Sequence, residues 1–368
     1  MTNPSVRENF ADYKPPLERG TALAEANRCL FCYDAPCTRA CPTSIDIPGF
    51  IKRIVTGNLK GSAKKILEAN ILGASCARVC PTEELCEGAC VLNDLHEEPI
   101  QIGRLQRYST DPFVFGKGQM FEAPERNGKR VAIVGAGPAG LGCAAELAQR
   151  GYECIVFEKA SVPGGLNSVG IADYKMTYET ALAEIEWVAQ LGIEIRYDTE
   201  VGKDVSVESL TNDFDAIFLG VGLGGVGTIG LENETLTDGE FVSGYRDSLE
   251  FIAELKTKPK EEVSLVGKSV AVIGGGNTAI DAVTQSARLG ADRVYMVYRR
   301  DREAMGAYEH EQALALKDGG VFVLNSQPQA LVVNDGAVSG LRCIKTENSE
   351  SGLVYLEGSE FVLDVDLV

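Results

Sequence analysis

The stretch Arg130-Val131-Ala132-Ile133-Val134-Gly135-Ala136-Gly137-Pro138-Ala139-Gly140 decides the fold. A short apolar run enters a glycine-rich turn and leaves into a helical pattern over 138–150. Glycines there permit a tight turn and close approach of backbone to a pyrophosphate, which sits at the helix N-terminus. The next apolar run, 153–157, ends at Glu158. A carboxylate at that place accepts hydrogen bonds from ribose hydroxyls. A bare strand-to-helix turn would account for the glycines but leaves Glu158 without a purpose. The unit therefore reads as an FAD site.

The pattern starts again at Ser269-Val270-Ala271-Val272-Ile273, followed by Gly274-Gly275-Gly276-Asn277-Thr278-Ala279, a G-x-G-x-x-A turn. Its second strand, 293–298, leads into Arg299-Arg300 where the first unit has its acid. Arginine suits a 2′-phosphate that a carboxylate would repel. The second unit reads as a nicotinamide site, NADPH first and NADH close behind. Asp301, Arg302 and Glu303 leave open a solvated charge pair instead. Strands alternating with helices imply a parallel sheet in each unit. The boundary between them falls near Gly239, and a helix over 247–256 leads into the second.

Of eleven cysteines, eight lie between Cys29 and Cys90. They form Cys29-x2-Cys32-x4-Cys37-x3-Cys41-Pro42 and Cys76-x3-Cys80-Pro81-x4-Cys86-x3-Cys90. Thiolates suit soft metals, and proline after a ligand cysteine is a bacterial ferredoxin habit in which that cysteine serves the other cluster. Structural zinc favours compact pairs spaced by about two to four residues, which fits this array poorly. On spacing alone Cys76 is a ligand. Cys143, Cys154 and Cys343 sit in apolar stretches and read as buried, inert thiols. The same region carries helical patterns, among them an apolar period near 3.6 over 49–68. A polar stretch, 116–128, reads as a linker.

At 368 residues the chain has room for two or three domains. A formal charge of −18 argues against nucleic acid and anionic membrane as partners. No run of about 18 apolar residues is present, and Met1-Thr2-Asn3-Pro4-Ser5-Val6-Arg7-Glu8 lacks a signal-peptide pattern, so a cytoplasmic protein is expected. His96 and His310 are the only histidines and are expected at surface or structural positions. No catalytic side chain is expected, because hydride transfer from nicotinamide to flavin needs no protein acid or base.

The phrases Asn27-Arg28-Cys29-Leu30, Ala35-Pro36-Cys37, Cys41-Pro42-Thr43, Val79-Cys80-Pro81-Thr82 and Pro99-Ile100-Gln101-Ile102-Gly103, with the two glycine turns, resemble one family. It contains the small subunit of bacterial glutamate synthase, the N-terminal half of dihydropyrimidine dehydrogenase and the flavin subunit of its bacterial NAD-dependent form. The resemblance covers essentially the whole chain and is nearest the dihydropyrimidine dehydrogenase branch. It implies an α-helical N-terminal domain with two 4Fe-4S clusters over 1–118. Two α/β Rossmann-like domains follow: FAD over 129–238, then an inserted NAD(P) domain over 239–368.

The same resemblance implies the ligands. One cluster takes Cys29, Cys32, Cys37 and Cys90. The other takes Cys41, Cys80, Cys86 and Gln106, leaving Cys76 a non-ligand. FAD falls to Gly135, Gly137, Ala139, Gly140, Glu158, Gly165, Leu166, Val201 through its backbone, and Gly220. The nicotinamide falls to Gly275, Gly276, Asn277, Thr278, Arg299 and Arg300. The implied activity is oxidation of NAD(P)H at FAD, with electrons passed to an FMN-containing catalytic partner subunit for pyrimidine reduction. The alternatives are a glutamate synthase small subunit and a non-catalytic iron–sulfur carrier. A thioredoxin- or glutathione-type disulfide reductase is rejected, since Leu166-Asn167-Ser168-Val169-Gly170 after Gly165 holds no redox cysteine. Related two-site flavoproteins return to the FAD domain after the nicotinamide domain. The expectation is therefore that Asp364-Val365-Asp366-Leu367-Val368 stops short of that return and the chain is a fragment.

Overall fold

A computed structural model describes residues 6–116, 118–224, 228–236, 240–349 and 352–368. They form two compact units: residues 12–224, and residues 6–11 together with 228–368.

In the first unit, helices Arg19–Asn27, Pro36–Ala40, Ile47–Val55, Leu59–Ala69, Gly73–Val79 and Ile102–Val114 carry the cysteines and the segments between them. The periodic stretch over 49–68 is two helices. Ile47–Val55 starts at Asp46, whose Oδ1 accepts the N–H of Gly49 at 3.0 Å. Gly57 then takes φ +75°, and Asn58 caps the next helix through the N–H of Gly61 at 2.9 Å. The apolar period runs through the break because both helices turn the same side inward, burying Phe50, Ile51 and Ile54, then Ala63, Ile66 and Leu67.

The four parallel strands of this unit are β1 (Arg130–Val134), β2 (Glu153–Phe157), β3 (Glu194–Arg196) and β4 (Ala216–Leu219), in the order β3-β2-β1-β4. In-register pairs run from Arg130↔Glu153 to Val134↔Phe157 on one side and to Val134↔Leu219 on the other. The strand order reverses at β1, and the crevice beyond the carboxyl end of such a strand is where open α/β sheets bind ligands.

The expected cluster domain (1–118) and FAD domain (129–238) fall in one compact unit, in which the helical region keeps a core of its own, with Cys29, Cys37, Cys41 and Cys90 packed against Phe50, Ile51, Ile102 and Leu105. Leu67, Leu72 and Phe113 of the helices share one hydrophobic core with Val131, Ile133, Val156 and Trp187 of the sheet and its covering helix. Residues 6–11 belong instead with the second unit, where Asn9 donates to the carbonyl of Arg288 at 2.9 Å. The expected boundary at Gly239 lies outside the described residues; the division falls after Gly224.

The second unit has a parallel sheet, β5 (Ser269–Ile273), β6 (Arg293–Val297) and β7 (Gly320–Val323), with Leu367 bridged in parallel to Val270. An antiparallel sheet follows, of β8 (Ser326–Asn334), β9 (Ala337–Ser349), β10 (Gly352–Tyr355) and β11 (Phe361–Leu363). Its Leu331, Leu341 and Cys343 pack with Ala271 and Val297 of the parallel sheet. The helix expected over 247–256 is Ser248–Thr257, capped by Asp247. Among the described residues no helix is long and apolar enough to cross a membrane.

Candidate functional site

At the carboxyl end of β1, Gly135 takes φ +100°, and a Cβ there would lie 2.4 Å from the carbonyl oxygen of Gly220. A Cβ on Gly140 would lie 1.9 Å from the carbonyl oxygen of Gly135. Gly137 precedes the helix Pro138–Ala148 and has nothing within 4 Å of the position a Cβ would take. The turn is thus closed by backbone on one side and open on the side where the first helical N–H groups point. Glu158 is only 8% exposed. Its Oε2 accepts the N–H of Ala136 at 2.7 Å and its Oε1 that of Ala160 at 2.9 Å. Gly164 donates to the carbonyl of Ala136, and Gly165, at φ +51°, abuts Gly137. Gly220 donates to the carbonyl of Val134 at 2.8 Å. The structure therefore brings together Gly135, Gly137, Gly140, Glu158, Gly165 and Gly220, with Ala139 and Leu166 exposed beside them. Val201 is not in this set of contacts; it bridges Val205 and packs against the cluster of Ile155, Phe157 and Leu210.

In the second unit Gly274 takes φ +142°, and a Cβ on Gly275 would meet the Tyr298 ring at 2.7 Å. Gly276 precedes the helix Asn277–Arg288 with nothing within 4 Å, and Thr278 is exposed in its first turn. Asn277 faces inward: its Oδ1 accepts the N–H of Tyr308 at 3.0 Å, while Ala307 donates to the carbonyl of Gly275 at 3.0 Å. Tyr298 donates to the carbonyl of Ala304 at 2.7 Å. Residues 304–308 thus form a strap across the turn. Arg299 and Arg300 follow β6 with exposed side chains. Asp301 accepts from Ala304 and Asn348, and Arg302 donates to Gln312. Among the described residues neither Arg299 nor Arg300 takes an ion pair, so the loop does not neutralise itself.

The cysteines gather in two groups. Cys29, Cys32, Cys37 and Cys90 line one cavity, with apolar walls that include Ile47, Ile51 and Ile102. Burial pushes the Cys29 thiol up and the Cys37 thiol up to about 11. In the second group Cys41, Cys76, Cys80 and Cys86 feel one another's charge, and Gln106 hydrogen-bonds to Cys76. The hydrogen bond between Cys76 and Cys80 holds the Cys76 thiol up and the Cys80 thiol down; burial holds Cys86 up. Gln106 is 4% exposed, and its Nε2 donates to the carbonyl of Gly73 at 2.9 Å. Several thiols massed in apolar surroundings resist losing protons by themselves, and a bound metal is what stabilises thiolates in such a place. The donor set and the apolar cavity both fit iron–sulfur clusters.

Three features carry weight that the sequence alone did not reveal. Arg78 forks onto Asp111 at 2.9 and 2.8 Å, locking the helix that carries Cys76 to the helix that carries Gln106. The strap over 304–308 holds the second turn. Glu184, fully buried, reaches the helix Gly73–Val79 from the helix Tyr178–Ala189. Only Glu184 left a sequence signal, an acid on the apolar stripe of Ala181, Ile185 and Val188.

Cysteine-bearing helices and a flavin-type turn in one compact unit, with a nicotinamide-type turn after them, define an FAD-dependent NAD(P)H oxidoreductase with 4Fe-4S clusters. Residues 6–116 match the family described as "Dihydroprymidine dehydrogenase domain II, 4Fe-4S cluster", and residues 129–368 match "Pyridine nucleotide-disulphide oxidoreductase". The chain belongs to the family of glutamate synthase small chains and related pyridine nucleotide-disulphide oxidoreductases. It is 37% identical to the "Glutamate synthase [NADPH] small chain" of Escherichia coli K12, over 98% of this chain and 78% of that one. It is 34% identical to the protein of the same name from Halomonas elongata, over the same shares. It is 35% identical to the "NADP(+)-dependent formate dehydrogenase subunit beta" of Moorella thermoacetica, over 91% of this chain and 50% of that one. These relatives fit the glutamate synthase alternative better than the expected dihydropyrimidine dehydrogenase branch. Solved structures agree on the fold: Mycobacterium tuberculosis FprA in complex with NADPH (TM-score 0.53, 18% identity, 65% of this chain and 69% of that one). A 2-naphthoyl-CoA reductase extends the likeness over 86% of this chain and 44% of its own, at TM-score 0.51 and 19% identity.

Proposed function

We propose that this chain is the electron-input subunit of a glutamate-synthase-type enzyme, oxidising NADPH and handing single electrons to a separate catalytic chain. The observation that carries the reading is that the thiol groups and the flavin-type turn stand in one compact unit, residues 12–224. Gly135, Gly137, Gly140, Gly165 and Gly220 would bring backbone to the FAD pyrophosphate, and Glu158 would meet its ribose. Gly275, Gly276 and Thr278 would receive the nicotinamide dinucleotide, with Arg299 and Arg300 on the 2′-phosphate; their exposed guanidiniums, without an ion pair among the described residues, support that role. Asn277 would act by holding the strap through Tyr308. Cys29, Cys32, Cys37 and Cys90 would hold one cluster, and Cys41, Cys80, Cys86 and Gln106 the other. Bound flavin supplies the step from two-electron to one-electron chemistry.

The glutamate synthase assignment draws on 37% identity across nearly the whole chain. Pyrimidine reduction is the second reading, favoured by the buried Gln106 beside the second thiol group. The deciding experiment is anaerobic purification of the chain with its native partner, followed by two assays with NADPH. Glutamate formation without pyrimidine reduction supports the proposal; pyrimidine reduction alone overturns it.

A further inference from the structure

Glu184 stands in the helix Tyr178–Ala189, which covers the first nucleotide unit, yet its carboxylate is turned to the cysteine-bearing helices. It is 1% exposed. Its Oε1 accepts the N–H of Ala74 at 2.8 Å, and its two oxygens accept the N–H of Ser75 at 3.2 and 3.0 Å. The Ser75 hydroxyl also donates to Oε2. Ala74 and Ser75 lie in the first turn of Gly73–Val79, whose own N-cap residue, Leu72, offers no side-chain acceptor. First-turn N–H groups have no partner inside a helix, so this helix has an outside cap supplied from 110 residues further along the chain.

That helix carries Cys76 and ends at Cys80. It is clamped on three sides. Glu184 holds its start, and Gln106 donates to its Gly73 carbonyl. Arg78 ties its last turn to Asp111 and reaches back to the Ala74 carbonyl at 3.0 Å. A buried carboxylate is costly unless several donors meet it. An apolar side chain on this stripe would pack without that cost but could not cap the helix. The arrangement makes sense if the orientation of the thiols matters more than the stability of the fold.

We propose that Glu184 is a positioning residue for the second thiol group, fixing the Cys76–Cys80 helix against the flavin-type unit and tuning the cluster those thiols hold. This rests on the reading of that group as a cluster site. Ligand orientation and nearby charge are among the levers by which a protein sets cluster potential. A carboxylate close by disfavours an added electron, so its loss makes reduction easier.

The test uses wild type, Glu184→Gln and Glu184→Ala, purified anaerobically as full chains and analysed for iron, sulfide and FAD. Redox titration followed by electron paramagnetic resonance, in mildly alkaline buffer, reads each cluster separately. Cys86→Ser identifies which signal belongs to the second group. Glu184→Gln is expected to keep both clusters and to move only the second signal to higher potential. Glu184→Ala is expected to lose about half the iron while FAD is retained. Where Glu184→Ala fails to fold, Ser75→Ala removes one bond to the carboxylate and should move the second signal alone. Two unmoved signals in the Gln and Ser75→Ala variants, or equal movement of both signals, overturn the proposal. Wild-type protein without iron and sulfide overturns the underlying cluster reading instead.

Discussion

The backbone N–H of Ala136 donates to the carboxylate of Glu158 at 2.7 Å, so the acid at the end of β2 holds the glycine turn in shape. Glu158→Ala leaves that N–H without a buried partner, a loss of about 1–3 kcal/mol. The expected result is FAD binding weaker by roughly tenfold or more, with nicotinamide binding unchanged. Flavin fluorescence after ultrafiltration checks it.

Two glycines of the same turn should behave differently. A Cβ on Gly140 meets the Gly135 carbonyl at 1.9 Å, and backbone cannot yield cheaply. Gly140→Ala should lower Tm by several degrees even without flavin. Gly137 has no neighbour within 4 Å, so Gly137→Ala should keep the apo Tm and weaken only FAD binding. Thermal melts with and without FAD separate the two.

Iron content distinguishes the thiols. Wild type should hold about eight iron atoms per chain, as two four-iron clusters. Cys86→Ser should hold about half that. Cys76→Ser should keep both clusters, since Gln106 is available beside it. Loss of a cluster in Cys76→Ser would return the fourth ligand to the thiol. Stoichiometric zinc without sulfide in the wild type would remove the cluster reading.

Arg299→Ala with Arg300→Ala should raise KM for NADPH far more than for NADH. Charge-assisted contacts are worth roughly 1.5–3 kcal/mol each, about tenfold or more in affinity. Steady-state kinetics with a dye acceptor reads both nucleotides. Equal losses would mean that the two arginines do not read the 2′-phosphate.

Burial, its largest cause, lifts the Glu184 carboxyl from 4.5 to about 7, against the opposing pull of its hydrogen bonds to Ser75 and Ala74. A folded pKa above the unfolded one means that the native state binds the extra proton. That stabilising contribution is whole below the unfolded value and is lost as pH rises through the folded one. Denaturant melts from about pH 5 to pH 8 should therefore show wild type losing ground to Glu184→Gln as pH rises. A constant difference across that range would count against the shift.

Local patterns were legible in the sequence. Both glycine turns and Glu158 at the end of β2 follow from short spacings, whereas the division of the cysteines into two sets is what the family resemblance implies, spacing alone giving Cys76 a ligand's place. The break at Gly57 and Asn58 escaped notice because one apolar period runs through both helices. The antiparallel sheet over β8 to β11 escaped because its strands mix polar and apolar residues without strict alternation. The shared core was invisible for another reason. Leu67, Phe113 and Trp187 each read as ordinary apolar positions, and only the folded chain shows that they meet. Glu184 is an acid on an apolar stripe, a signal the sequence reading passes over, and its partners at Ala74 and Ser75 lie too far along the chain for any local rule.

Cys37 and Cys41 are four residues apart yet belong to different groups, and the first group waits for Cys90 while the second waits for Cys80 and Cys86. The two sets are therefore threaded through each other along the chain. On a ribosome, neither set is whole until almost the entire cysteine region has emerged. Metal delivered earlier would meet only partial thiol sets, free to pair wrongly or to oxidise. Loading must follow synthesis of this region, and a chelator that strips one set loosens the segment on which the other is strung.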